Sequence, residues 1–245
     1  MKGSIQSFVL EDKSCHVYLP PGEIAQKADT VYVLDGEDFA GRLEEMEPYL
    51  RLETCRPFRL VFFDPVDWNR DYSPWPAPAV FRRGEAFAGK AGQVLSFLRQ
   101  RLIPEIQDRY PGEDSPKHRG LLGYSLGGLC ALWMLYTSGV FRYAAACSPS
   151  VWYEGWQEFV KENTLSEESR LYLSLGNREE KTRNPHMARV GDVMRMMEQE
   201  YRGNLEKSQF CMEWNEGGHF QDVPLRMAKG LQWVLQREET AGKSQ

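Results

Sequence analysis

The chain is poor in the residues that build metal sites, disulfide frameworks and membrane spans. Its 245 residues include four histidines and five cysteines, Cys15, Cys55, Cys130, Cys147 and Cys211. The cysteines are odd in number, widely spaced and form no C-x-x-C pair, which argues against a disulfide framework or a structural zinc site. They read as small core residues in a reducing compartment. No run approaches the roughly 18 apolar residues of a membrane helix, and Met1-Lys2-Gly3-Ser4-Ile5-Gln6 has no apolar signal core. The expectation is an unexported, cytoplasmic protein without membrane association. Positive charge is not in excess: 30 Lys and Arg stand against 35 Asp and Glu, a formal net charge of −5, with no long like-charge block. That removes any overall electrostatic reason to bind nucleic acid. P-loop, dinucleotide fingerprint and metal-ligand cluster are all missing, so no metal or organic cofactor is expected.

What is present is an alternation. Short apolar, β-branched or aromatic runs at 7–10, 16–19, 30–34, 59–63, 120–122, 143–146, 171–175 and 209–214 alternate with longer segments of helical period. This is the pattern of a mostly parallel sheet with crossover helices. The first two runs are joined by Glu11-Asp12-Lys13, with no room for a helix, and predict an antiparallel hairpin at one edge. Helices are expected over 86–109, where Pro104 should kink or restart the helix, and over 126–136, 187–201 and 223–235. The reading is an α/β-hydrolase fold: an eight-stranded sheet, an N-terminal hairpin, and helices on both faces. With 42% hydrophobic residues the chain is expected to form one domain over 1–245, its polar tail 238–245 frayed. The irregular stretch 64–84 carries Pro65, Pro74, Pro76 and Pro78, and a loop of that length usually has work to do.

At 121–128 the sequence LLGYSLGG runs from a buried strand into G-x-S-x-G and then an apolar helix. The bare motif should occur in about one chain in ten of this length, but the strand before and the helix after make it a nucleophile elbow with Ser125 at its tip. Such a turn strains the serine backbone and needs flanking glycines, because a Cβ there would strike the neighbouring strand or helix. The hydroxyl then stands at a helix N-terminus, where the dipole favours developing negative charge.

His219 is the expected base. His16 lies in the edge hairpin, His118 precedes the nucleophile strand at the wrong end of the sheet, and His186 follows an Asn-Pro pair at a helix start. His219 sits in EGGHF after the last strand, on a glycine loop, and it alone leaves a full strand-helix unit between acid and base. The acid should follow the run 171–175, which leads into Gly176-Asn177-Arg178-Glu179-Glu180. Glu179 is the candidate, with Glu180 one residue away as the alternative and either able to be an ordinary loop charge. The oxyanion hole requires the backbone N–H of Leu126 and a second N–H from the loop Leu34-Asp35-Gly36-Glu37.

Taken together the chain resembles the esterase family that includes enterochelin-esterase-like trilactone hydrolases, S-formylglutathione hydrolases and mycolyltransferases. The resemblance is carried by "LDG" at 34–36, "RDYSP" at 70–74, "FLRQRLIPEI" at 97–106, "GYSLGG" at 123–128, "SPSVW" at 148–152 and "GGHF" at 217–220. It implies that Glu37 supplies the second oxyanion donor and that Glu179, third after Gly176, is the acid. "SPSVW" is most similar to the siderophore-hydrolase branch.

The expected activity is a serine carboxylic-ester hydrolysis through an acyl-enzyme on a small-molecule ester, in its sharper form a siderophore trilactone of the enterobactin type. Alternatives are a general or feruloyl-type esterase, an acyltransferase using the same triad, and a non-catalytic binding protein of the same fold. Trp68, Tyr72, Trp75, Trp152, Tyr153 and Trp156, with Arg70, Arg82 and Arg83, fall in segments expected near the C-terminal edge of the sheet. Arg70, Tyr72 and Trp152 are the candidate substrate-binding residues. Either these rings and cations wall a cleft for an anionic aromatic ester, or they pack the long loop and remain solvated.

Overall fold

A computed structural model describes residues 3–21, 28–35, 39–63, 67–111 and 115–237. Gly36, Glu37, residues 64–66 and the tail 238–245 lie outside the described residues. The strands are β1 (Ser4–Leu10), β2 (Lys13–Leu19), β3 (Asp29–Leu34), β4 (Phe58–Phe63), β5 (Pro76–Ala77), β6 (Phe87–Ala88), β7 (Arg119–Tyr124), β8 (Tyr143–Cys147), β9 (Arg170–Gly176) and β10 (Phe210–Asn215). The helices are α1 (Phe39–Met46), α2 (Trp68–Asp71), α3 (Ala91–Phe97), α4 (Ile103–Arg109), α5 (Ser125–Thr137), α6 (Trp156–Glu162), α7 (Pro185–Ala188), α8 (Val190–Asn204) and α9 (Val223–Leu235).

The main sheet has the order β1-β2-β4-β3-β7-β8-β9-β10. From β4 to β10 every pairing is parallel, while β1 with β2 and β2 with β4 are antiparallel. The hairpin closes through Glu11 (φ 49°) and Asp12 (φ 64°), two left-handed residues that match the right-handed twist of the flanking strands. Central strands such as FRLVFF (β4) are buried along their whole length, as a sheet covered on both faces requires. One apolar core lies under α3 to α6 and α8, and the other lies under α1 and α9. Over β8 the small residues Ala144, Ala145 and Ala146 let α5 and α9 come close from opposite sides.

Pro104 acts through a widened turn. Between α3 and α4 the residues Leu98–Leu102 form a π-helical segment, after which the helix restarts at Ile103. A proline has no N–H to give and its ring collides with the carbonyl four residues back, and the π turn relieves both. Residues 67–84 carry more order than their prolines imply. They hold α2, whose N-cap Asp67 accepts a hydrogen bond from the Arg70 N–H, and β5, which pairs with β6.

The helix α5 leaves β7 so abruptly that it runs against β3. A Cβ built on Gly127 would meet the Leu34 carbonyl oxygen at 2.0 Å, and one on Gly123 would meet the Gly127 carbonyl oxygen at 2.3 Å. Neither backbone atom can step aside. Gly127→Ala is expected to cost about 1–3 kcal/mol by overpacking, and to lower the thermal midpoint seen by circular dichroism at roughly 2–4 °C per kcal/mol. An unchanged midpoint would contradict the packing of α5 on β3.

Candidate active site

Parallel strands deliver every following loop to one edge of the sheet, and four of those loops build the site. After β7 comes Ser125, with φ +55°. The left-handed backbone at a non-glycine residue is sparsely populated and lifts the Oγ clear of the strand. After β8 come Ser148 (φ +43°) and Ser150, both buried. After β9 comes Glu179 and after β10 comes His219.

The structure brings three of the residues singled out above into one hydrogen-bonded chain. His219 Nε2 lies 3.0 Å from Ser125 Oγ, and His219 Nδ1 lies 2.7 Å from Glu179 Oε2. With Nε2 as acceptor the serine hydroxyl donates to the ring, and the ring donates Nδ1–H to the carboxylate. Ser150 Oγ is 3.3 Å from Ser125 Oγ, and its N–H donates to the Ser125 carbonyl at 3.0 Å. Leu126 is buried at the second position of α5, where an N–H has no helical partner. Glu37, the expected source of the second oxyanion donor, lies outside the described residues.

Glu180 points elsewhere. Both of its oxygens accept from the Arg195 guanidinium at 2.8 Å, on the outside of α8. Glu179 has a side chain only 5% exposed, and its second oxygen, Oε1, is filled from within the fold. It accepts from the Gly176 N–H at 2.7 Å, the Ser148 hydroxyl at 2.7 Å and the Arg226 guanidinium at 2.9 Å. Burial alone would raise this carboxyl. The hydrogen bond and charge of His219, with the Ser148 and Gly176 donors, nevertheless hold it below its ordinary value of 4.5.

The loops that carry Glu179 and His219 are also tied to each other. Gly217, at φ +99°, donates its N–H to Asn177 Oδ1 at 3.1 Å and accepts from the Arg178 N–H at 3.0 Å. The Tyr124 hydroxyl donates to the His219 carbonyl at 2.6 Å, and burial pushes its pKa up to about 12, so it stays a neutral donor. The other histidines are elsewhere: His16 is stacked on Phe62, His118 is bonded to Asp29 at 2.8 Å, and His186 is exposed on α7.

Around Ser125 opens a cleft of about 1350 Å³. Its apolar lining includes Trp68, Phe81, Trp152 and Phe220, and its cations are Arg42, Arg178 and Lys181. Of the three candidate substrate-binding residues only Trp152 lines it. Tyr72 is fully buried, with its hydroxyl on the Asp35 carbonyl, and the Arg70 guanidinium is folded back onto the Asp71 carboxylate. Trp75, Tyr153 and Trp156 pack together behind the cleft, while Arg82 and Arg83 are exposed outside its lining. Packing the long loop claimed most of these rings. The cleft takes its cations from the loop after β9 and from α1 instead.

Because Glu179 is an anion in the fold at a pH where the unfolded carboxyl is protonated, it contributes stability that is present above about 4.5 and is lost as pH falls through its folded value. Between about pH 6 and about pH 3 the parent chain should therefore lose more stability than Glu179→Gln, and their urea midpoints should converge. Parallel curves would contradict the depressed pKa.

The comparisons with known proteins agree with this architecture. Residues 10–220 match the family described as "Putative esterase". The YbbA protein of Bacillus subtilis (strain 168) is 27% identical over 244 residues, 96% of this chain and 97% of that protein. An IroE-like serine hydrolase from Shewanella oneidensis superposes with a TM-score of 0.76 at 20% identity, over 95% of this chain and 80% of that one. The siderophore hydrolase EstB from Aspergillus nidulans does so with a TM-score of 0.72 at 17% identity, over 96% of each chain. At these identities the two solved structures show the shared α/β-hydrolase-like fold. The family match, by contrast, spans most of the sequence, and by it the chain belongs to this esterase family.

Proposed function

We propose that the chain is a serine carboxylic-ester hydrolase with Ser125 as nucleophile, His219 as general base and Glu179 as the acid that orients it. The observation that carries this reading is the unbroken chain from Ser125 Oγ through His219 to Glu179 at the tip of a strained elbow. In the first step His219 Nε2 takes the hydroxyl proton as Oγ attacks the ester carbonyl. Glu179 keeps Nδ1 protonated and stabilises the imidazolium. The Leu126 N–H is one donor to the oxyanion, and Glu37 is the second donor that the family resemblance implies. The imidazolium then protonates the departing alkoxide, leaving an acyl-enzyme. Water, deprotonated by the same histidine, attacks the acyl carbon; the bond from that carbon to Ser125 Oγ then breaks as the imidazolium returns the proton to Oγ, and the acid is released.

The substrate we propose is an aryl-bearing ester of the siderophore trilactone kind. Three features support it: the rings of Trp68, Phe81, Trp152 and Phe220 around the nucleophile, the cations Arg178 and Lys181 beside the acid, and the likeness to a fold that includes a siderophore hydrolase. Aromatic contact and charge together suit an acidic aryl group.

A fluorophosphonate probe is expected to label the folded chain at Ser125. Ser125→Ala and His219→Ala should each lower kcat on an aryl ester by roughly 10⁴ to 10⁶. Absence of labelling and of turnover in the folded chain would overturn the hydrolase reading. Among substrates, a macrocyclic aryl trilactone should give a higher kcat/KM than short acyl esters; the reverse order would make it a general carboxylesterase. Product analysis with an added alcohol should return mainly the free acid, and a dominant transesterified product would make it an acyltransferase.

A further inference from the structure

Inside the first turns of α9 lies a charge that the mechanism above leaves without a task. Arg226 is 1% exposed, on a stripe it shares with the buried Gly230 and Val234. A guanidinium taken out of water costs several kcal/mol unless it is paired and hydrogen-bonded. Here its partners belong almost entirely to the site. Nη1 donates to Glu179 Oε1 at 2.9 Å and lies 3.2 Å from Ser148 Oγ and 3.3 Å from the Tyr124 hydroxyl. Nη2 donates to the carbonyls of Glu216 at 2.8 Å and Gly218 at 3.0 Å.

The contacts reach four segments of the site. Glu179 is the acid. Glu216 and Gly218 flank the turn that carries His219. Tyr124 precedes the nucleophile and passes the connection on, since its hydroxyl donates to the His219 carbonyl. Ser148 leaves β8 and donates to the same Glu179 oxygen. A planar fork of donors suits this task because its two nitrogens can face a carboxylate and two carbonyls at once.

Resting on the triad reading above, we propose that Arg226 is a positioning residue for ester hydrolysis. By occupying Glu179 Oε1 it leaves Oε2 alone to face His219 Nδ1, and by holding the Glu216 and Gly218 carbonyls it fixes the histidine loop against that oxygen. A guanidinium that served only to fill the core would act on folding and leave the acid and base indifferent to it.

The test is Arg226→Met, alone and combined with Glu179→Gln, with folding checked by circular dichroism. Arg226→Met is expected to lower kcat on an aryl ester by about tenfold or more, with KM within about threefold of the parent. In the Glu179→Gln background the same change should cost less than about threefold, because its route to His219 is already cut. A smaller loss in kcat, a loss carried by KM, or losses that multiply would each overturn the proposal. Arg226→Lys keeps the buried charge while giving up the two-nitrogen fork. It should recover part of the kcat lost in Arg226→Met, and where Arg226→Met does not fold, the same coupling test is made with Arg226→Lys. A second readout needs no turnover. In Ser125→Ala the His219 Nδ1 proton, shifted downfield by its short bond to Glu179, should be visible by proton NMR, and adding Arg226→Met should broaden or remove it. Its persistence unchanged would overturn the proposal. Failure of the parent chain to react with fluorophosphonate would instead count against the hydrolase reading, leaving the NMR comparison to decide the role of Arg226.

Discussion

The backbone bend at Ser125 is the constraint around which the rest of the site is arranged. A serine at φ +55° occupies a conformation that costs on the order of 1–3 kcal/mol and persists only where its surroundings over-determine it. Here they do. Gly123 and Gly127 leave no side chain between the strand, the helix and Leu34, and nine residues of α5 are buried. The bend also stands at the end of β7, between β3 and β8 in a sheet that is parallel on both sides. Every loop leaving β8, β9 and β10 therefore emerges at the same edge as the hydroxyl. Parallel topology does the gathering, and local chemistry only has to aim the side chains.

That aiming centres on a buried carboxylate. Glu179 has two oxygens with different duties: one faces the imidazole, and the other accepts a backbone N–H, a hydroxyl and a guanidinium. A carboxylate with one partner can rotate, whereas one held at both oxygens cannot turn without breaking bonds that burial makes costly to lose. The same logic explains why the histidine loop is glycine-rich. At φ +99° Gly217 bends the chain so that its own N–H and carbonyl join the acid loop while the following carbonyl reaches Arg226.

The strands were legible in the sequence because a doubly covered sheet demands continuous apolar runs, and runs such as Phe58–Phe63 and Arg170–Gly176 have no competing period. The turn at Ser125 and the loops carrying Glu179 and His219 were legible for a related reason: each follows a strand, and glycines mark the turns. The short helices were not. Phe39–Met46 makes only about two turns and contains Gly41, and Trp68–Asp71 lies in a proline-rich stretch whose composition reads as loop despite the Asp67 cap. Arg226 left a readable trace, a charge at four-residue spacing from Gly230 on an apolar stripe, but sequence cannot say that three loops converge there. Ser148 and Ser150 stood in a recognisable motif, and their partners became visible only when β8 was placed beside β9.

The aromatic residues separate along a physical line that composition does not draw. A ring in an irregular segment has no period to say which way it faces, so Tyr72, Trp75 and Trp152 look alike in sequence. In the fold, Tyr72 and Tyr153 went fully inward with half-buried Trp75 packed against Tyr153, each with its polar handle on a backbone carbonyl: Tyr72 on Asp35, Trp75 on Glu154 and Tyr153 on Trp75. Each buried ring satisfied its own donor and so removed the cost that usually keeps tyrosine and tryptophan near water. Phe220 has no such handle and follows His219 directly, its neighbour's ring edge-on at 5.0 Å, and it is left 90% exposed. Phe220 thus forgoes the roughly 1.5–3 kcal/mol that burying a phenyl ring is worth and leaves apolar surface beside Ser125 that the fold itself does not use.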